Sequence, residues 1–271
     1  MLELKPIVYT TKPTFVLSRG ERIKRLKFYV RQNVRHLPEL MPYDGIAAIV
    51  GSAPTIGDNL DRLKEIKQSG LVFSVNGAHN WLIKNDVVPN IHVLFENDIE
   101  SPNESLGGPS HPDVYYYICT QCSPSVFRKL ANRNKVIWHY FDEEPEYQQA
   151  VAKYFPDEFM VGGGYTTFFR SITVARVLGY RKFELFGCDS SFEEDRTHYE
   201  GYHTSLEEPK MVVAAGNEMT YRLFKTTPSL SFQAYEFMRF CEANQDSLSV
   251  QVHGDGLMRD LHQTRYPEQY N

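Results

Sequence analysis

Four stretches of this chain collect residue types that hold anions or move protons. They are Gly51-Ser52-Ala53-Pro54-Thr55, the pair Glu96 and Asp98, the run Gly162-Gly163-Gly164-Tyr165-Thr166-Thr167, and Asp189-Ser190-Ser191. Glycines ahead of a helix let backbone N–H groups approach a ligand with no Cβ in the way. The helix N-terminus adds roughly half a positive charge. Gly162, Gly163 and Gly164 therefore suit a phosphate or a carboxylate, with Thr166 and Thr167 as extra hydroxyl donors. No Gly-Lys-Ser/Thr follows, so this is not a Walker loop, and Thr167 stands where a dinucleotide fingerprint needs its third glycine. The same run equally suits tight packing of a helix on a strand.

The remaining candidates carry a similar choice. Asp189 and Ser190 close a strand-like run, where they can act on a ligand or merely form a turn. Glu96 and Asp98 also fit a solvated loop. His198, Tyr199, Tyr202 and His203 offer a base and hydroxyl donors, or a polar surface. Asn76 can reach a base or ribose, yet Asn76-Gly77 also reads as a turn. Cys119 and Cys122 have redox or zinc spacing without a second pair, which favours buried thiols.

Stepping along the chain, apolar runs at 46–50, 71–75, 91–96, 114–119, 136–141 and 182–187 alternate with helical patterns. One such pattern holds Phe168, Phe169, Ile172, Ala175 and Leu178 on one face, and Asp58 reads as the N-cap of another. A strand-like run at 211–216, a helix near 229–244 and the strand Leu248–Val252 follow. This order predicts an α/β, Rossmann-like, mostly parallel sheet with helices on both faces. Ligands then bind beyond the carboxyl ends of the strands, where the loops at 51–55, 76–79, 96–98 and 187–192 gather.

The composition is that of a globular chain: 271 residues, 42% hydrophobic and 23% charged. The absence of a signal-peptide pattern and of a long apolar run points to a cytoplasmic protein without a membrane span. Residues 19–36 hold seven Arg or Lys against one Glu, +6 in all, which leaves −11 for the rest under a net charge of −5. Leu26, Val30, Val34 and Leu37 recur at helical spacing, so the segment reads as a basic helix docked by one face, its charges in solvent. That reading argues against nucleic acid as a partner, and self-association stays open. The divisions expected are an extension at 1–45, a main domain at 46–256 and a tail at 257–271.

The glycine run followed by Gly187-Cys188-Asp189-Ser190-Ser191-Phe192, together with residues 49–98, resembles the MptE-like 6-hydroxymethylpterin diphosphokinase family. That family also embraces motility accessory factor glycosyltransferases. Its usual first loop is Gly-Asn-Gly-Pro-Ser; here Gly51 and Pro54 remain while Ser52, Ala53 and Thr55 differ. The resemblance implies a nucleotide-dependent transferase, most simply one moving diphosphate from ATP to a hydroxymethylpterin-like alcohol with Mg²⁺. The alternative is transfer of a nonulosonic sugar from a CMP donor. Under either, Gly51, Ser52, Pro54, Thr55, Asn76, Gly162, Gly163, Gly164, Thr166, Thr167 and Ser190 would hold nucleotide or phosphate. Glu96, Asp98 and Asp189 would hold the metal, with Asp189, His198 and Tyr199 as catalytic groups. The altered first loop also permits a non-catalytic nucleotide-binding module.

Overall fold

A run such as Ala47-Ala48-Ile49-Val50 can be buried throughout only if both of its faces are covered, and this is how it is used. The computed structural model describes residues 17–95, 106, 108–142, 144–164, 166–199, 209–216 and 220–270. Its strands are β1 (Arg35–His36), β2 (Tyr43–Val50), β3 (Leu71–Val75), β4 (Ile91–Leu94), β5 (Tyr115–Cys119), β6 (Asn134–Tyr140), β7 (Met160–Val161), β8 (Tyr180–Phe186), β9 (Met211–Gly216), β10 (Tyr221–Thr226) and β11 (Ser249–Val252). The main sheet runs β1-β6-β5-β4-β3-β2-β8-β11, with β7 beside β6, and its pairings are parallel.

Successive side chains of β2 enter two different cores, as the two-residue period of a strand requires. Ala48 and Val50 meet α2 (Leu60–Ser69) and α3 (Ala78–Lys84) through Leu63, Ile66, Ala78 and Leu82. Ala47 and Ile49 join the larger core with α6 (Thr167–Val177) and α7 (Pro228–Asn244). That core also takes in α1 (Arg19–Tyr29), α4 (Pro124–Lys129) and α5 (Pro145–Tyr154). The result is the expected Rossmann-like α/β fold.

Several local expectations are corrected. The basic helix stops at Tyr29, where the Gln32 side chain donates to the Phe28 carbonyl at 2.9 Å, and Arg35–His36 pairs with β6 instead of extending the helix. Its charges are not all in solvent, because Arg22 and Arg25 are 1% and 2% exposed. Arg22 pairs with the fully buried Asp142 and, at 2.9 Å, with Glu144; Arg25 donates to the Gln121 carbonyl at 3.0 Å. Helix α2 is entered from Asn59, not Asp58, after a 3-10 turn at Pro54–Gly57. Strand β9 lies outside the main sheet and pairs antiparallel with β10. The expected tail contains α8 (Leu257–Arg265), which buries Leu257 and Met258. Beyond it, the Gln269 and Tyr270 side chains accept from the Val250 and Val252 N–H groups of edge strand β11. Satisfying those groups protects an otherwise open sheet edge.

Candidate functional site

From β2 the chain runs one way through β3, β4, β5 and β6, and later returns to β2's other side with β8. The strand order therefore reverses at the β2–β8 junction, and such a switch point leaves a crevice beyond the carboxyl ends. Val50 pairs with both Ser74 and Phe186, so the loops after β2, β3 and β8 start level with one another. The candidates at 51–55, Asn76 and 189–191 stand on these loops.

The loops after β2 and β8 are locked together. Ala53 N–H donates to the Gly187 carbonyl at 3.0 Å, and Gly51 N–H to the Phe186 carbonyl at 2.9 Å. A Cβ on Gly51 would collide with the Gly187 carbonyl oxygen, so the close approach needs glycine there. Asp189, 5% exposed, accepts from Thr55 twice: from its N–H at 3.1 Å and from its hydroxyl at 2.5 Å. Burial pushes Asp189 up to about 6, the Thr55 hydrogen bonds pull it back down, and the charges of Asp58 and Glu193 add to the rise. The N–H groups of Gly51, Ala53 and Thr55 are thus spent inside the protein. Pro54 has no N–H and opens the 3-10 turn, while Ser52, 8% exposed, offers its carbonyl to Tyr199 N–H at 2.9 Å.

The segment after β8 folds back over the same edge. Tyr199 donates its hydroxyl to the Gly77 carbonyl at 3.1 Å, which ties it to the loop after β3. His198 lies 2.9 Å from the Thr197 hydroxyl, and burial lowers its imidazole to about 4, so it is neutral at pH 7. Glu96, Asp98, Tyr202 and His203 lie outside the described residues.

Within the loops at 76–79 and 187–192 two non-glycine residues have left-handed backbones: Asn76 at φ +47° and Ser190 at φ +54°. Each also holds a buried polar atom, Asn76 Oδ1 and Ser190 Oγ, without a hydrogen-bond partner among the described residues. Strained backbone clusters at active sites and ligand clamps, and a buried polar atom without a partner calls for one, such as a bound ligand.

The glycine run lies elsewhere. It follows β7, beside β6, so it starts several strands away from the switch point. Gly163 and Gly164 have φ of +105° and +56°, and a Cβ on either would strike Thr173 or Phe169 of the helix that follows. Packing therefore suffices to explain these two glycines, and a Gly163→Val variant would disturb the fold before it tested a ligand. They also wall a crevice of about 190 Å³ between α6 and α7, below the size of a typical ligand pocket. A Cβ on Gly162 would meet Phe141 at ordinary contact distance and so would fit. Thr166 is the N-cap, its hydroxyl accepting from Phe169 N–H at 3.4 Å, and Thr167 is the first residue of the helix. Helix α6 nonetheless reaches the crevice, because Phe168 in its first turn packs against Gly51.

Two contributors had no sequence signal that was read. The start of α8 holds the loop after β8: Met258 N–H donates to the Asp189 carbonyl at 3.2 Å and Leu257 N–H to the Ser191 hydroxyl at 3.2 Å. Arg170, from the first turns of α6, is 7% exposed at the carboxyl ends of β4 and β6. A glycine-rich turn before α8 and a basic residue inside an apolar helix were the available clues.

Residues 21–195, well over half of the chain, match the family described as "6-hydroxymethylpterin diphosphokinase MptE-like". The chain belongs to the MptE-like family. The match begins inside α1, so the basic helix is part of the family's shared region. Among solved structures, this MptE-like chain is similar to the MAf glycosyltransferase from Magnetospirillum magneticum AMB-1, at 18% identity and a TM-score of 0.63. That similarity covers 88% of this chain and 37% of the other, so the present chain spans well under half of that protein. A mammalian sialyltransferase solved with Gal-beta-1-3GalNAc-ortho-nitrophenol aligns at 13% identity over 86% of this chain and 78% of its own, with a TM-score of 0.43. No curated protein matches. The MptE-like chain thus has a nucleotide-binding, transferase-like fold from a family of enzymes. Among its described residues no helix is long and apolar enough to cross a membrane.

Proposed function

We propose that this MptE-like chain transfers a group from a nucleotide donor to an alcohol acceptor in the crevice over β2, β3 and β8. The observation that carries this is the pair Asn76 and Ser190, both left-handed, both with a buried unpartnered polar atom, flanking the switch point. In this reading those two atoms meet the nucleoside. The phosphates lie along the crevice toward the first turn of α6, whose N-terminal N–H groups favour negative charge. Asp189 acts as a positioning residue that holds the loops after β2 and β8 together through Thr55. His198, neutral at pH 7 and fixed beside Thr197, accepts the acceptor's proton, while Tyr199 pins the segment that carries it.

The finer chemistry has two readings. The family's description supports transfer of diphosphate from ATP to a hydroxymethylpterin-like alcohol: the alcohol oxygen attacks the β-phosphorus, the bond to the α-phosphate oxygen breaks, and AMP leaves. The placement of His198 and Tyr199 supports sugar transfer from a CMP donor. Such diphosphate transfer ordinarily draws on Mg²⁺ held by one or two carboxylates and the phosphates, and of the candidates Glu96, Asp98 and Asp189 only Asp189 lies among the described residues. No three His, Cys, Asp or Glu side chains among them converge on a metal position, and Asp189 accepts from Thr55 with both oxygens. No step is therefore routed through a metal here.

Turnover decides between the readings. With ATP and 6-hydroxymethylpterin, acceptor-dependent AMP release is the expected result, measured in Mg²⁺ and again in EDTA. CMP release from a CMP-activated nonulosonic sugar, unaffected by EDTA, would establish the second reading. Neither product under any condition would leave a binding module and overturn the transferase assignment.

A further inference from the structure

Arg170 is the residue that the fold alone does not explain. Its guanidinium carbon lies 3.5 Å from the ring centre of Phe95 and 4.3 Å from that of Tyr140. Those rings stand at the carboxyl ends of β4 and β6, and their centres are 4.9 Å apart and 68° inclined. The charge also acts on the thiol of Cys119, the last residue of β5 between those two strands. The guanidinium thus caps the carboxyl edge over three neighbouring strands.

It has no anionic partner among the described residues. Nε is fully buried and makes no hydrogen bond. Asp142, the other charge acting on Cys119, is committed to Arg22 and Gln121. Arginine cannot shed its proton to escape burial, as a lysine could. Two aromatic faces hold the cation in place, but a π face takes none of its in-plane N–H donors, and Nε has no acceptor among the described residues. An arginine 93% hidden and with no acceptor among the described residues is a group waiting for one. The N-terminal turn of α6, positive by its own dipole, carries it.

We infer that Arg170 binds an anionic substituent at the far end of the nucleotide-derived ligand, a phosphoryl or carboxylate group that takes its guanidinium edge-on. This rests on the reading of the switch-point crevice as the nucleotide site. Strands lie about 4.8 Å apart, so the end of β4 is roughly 10 Å from that of β2 and roughly 14 Å from that of β8. A nucleoside held by Asn76 and Ser190 therefore places the group that it carries, rather than its base, beneath Arg170. The fork geometry favours planar or tetrahedral oxyanions that accept two parallel hydrogen bonds.

The test uses Arg170→Met and Arg170→Lys, with binding measured by calorimetry. Inorganic pyrophosphate probes the phosphoryl source, N-acetylneuraminic acid the carboxylate source, and AMP and CMP the nucleoside end. Wild-type protein is expected to bind one of the two anions, Arg170→Met at least ten-fold more weakly, and Arg170→Lys in between. Because Met removes an unpaired buried charge, its unfolding temperature should equal or exceed that of the wild type. Whichever anion is affected names the source. Equal affinity for both anions in wild type and Arg170→Met, or binding of neither by the wild type, would overturn the inference. So would a lowered unfolding temperature accompanied by unchanged anion affinity, which would make Arg170 a structural residue. Loss of AMP and CMP binding by the wild type, with Arg170-dependent anion binding intact, would instead overturn the nucleotide reading alone.

Discussion

Replacing Arg22 with alanine is expected to cost about 3–5 kcal/mol of folding stability, because it leaves a buried carboxylate without its counter-charge. Asp142 is fully buried, and besides Arg22 it accepts from Gln121 Nε2 at 3.1 Å. Total stability for a domain is typically about 5–15 kcal/mol, so this single change would bring the chain close to its unfolding threshold. The loss measures the orphaned charge more than the worth of the pair. An Arg22→Met, Asp142→Leu double variant should therefore recover much of it. Lys24 and Lys27, on the same helix but exposed, should tolerate alanine within about 0.5 kcal/mol. Urea unfolding of these four variants beside the wild type tests this. An Arg22→Ala protein within about 1 kcal/mol of wild type would show that α1 is held by its apolar face, through Leu26 and Tyr29, and not by the ion pair.

Turnover, in contrast, should hinge on the tie between Thr55 and Asp189. Asp189→Ala removes both bonds to Thr55, so that only the backbone bonds of Gly51 and Ala53 still tie the loop after β2 to the loop after β8, and Thr55 itself is released. A misplacement of about 1 Å in a site can cost on the order of 100-fold in rate, and a fall in kcat/KM of at least that size is expected. Asp189→Asn keeps the shape. Its oxygen can accept from Thr55 N–H, and its NH₂ can donate to the Thr55 hydroxyl, which serves as donor or acceptor. The asparagine variant should then retain most activity, and Thr55→Val should resemble Asp189→Ala. If Asp189→Asn proved as damaged as the alanine variant, the negative charge itself would be required, and Asp189 would be a catalytic or metal-holding group rather than a positioning one.

The sequence was most legible where burial is continuous. Runs such as 46–50, 71–75 and 182–187 leave little choice but a two-sided sheet, and the order of elements then fixes where loops collect. Legibility fell where a residue's environment comes from distant chain. Arg22 and Arg25 look like solvent-facing charges on a basic helix, since nothing near them announces that Asp142 and Glu144 come round to meet them. Arg170 was hidden the same way, inside a helix whose apolar face at Phe168, Phe169 and Ile172 claimed attention, although Phe95 and Tyr140 make its surroundings. Strand β1 is two residues long, too short for any periodicity, and the alternation in β10 is masked by Arg222 on the row of Phe224 and by the exposed apolar Tyr221 and Leu223 on the other row. The glycine run was visible as a motif, but its reason was not. Left-handed φ at Gly163 and Gly164 and contact with Thr173 and Phe169 could be seen only with the helix folded back on them. Similarly, Asp189 follows a strand as expected, an interior one next to the sheet edge and not a central one, while its partner Thr55 lies 134 residues away.

The central claim is that a nucleotide occupies the crevice where the strand order reverses. Hydrogen–deuterium exchange of the whole chain, with and without a saturating concentration of ATP or CMP, reads this directly at the backbone. The account predicts that one of the two slows exchange at residues 51–56, 76–79 and 187–191, and in the first turn of α6, while β9, β10 and α5 are unchanged. Slowed exchange confined to α7 and α8, or none with either nucleotide despite binding seen by calorimetry, would contradict it.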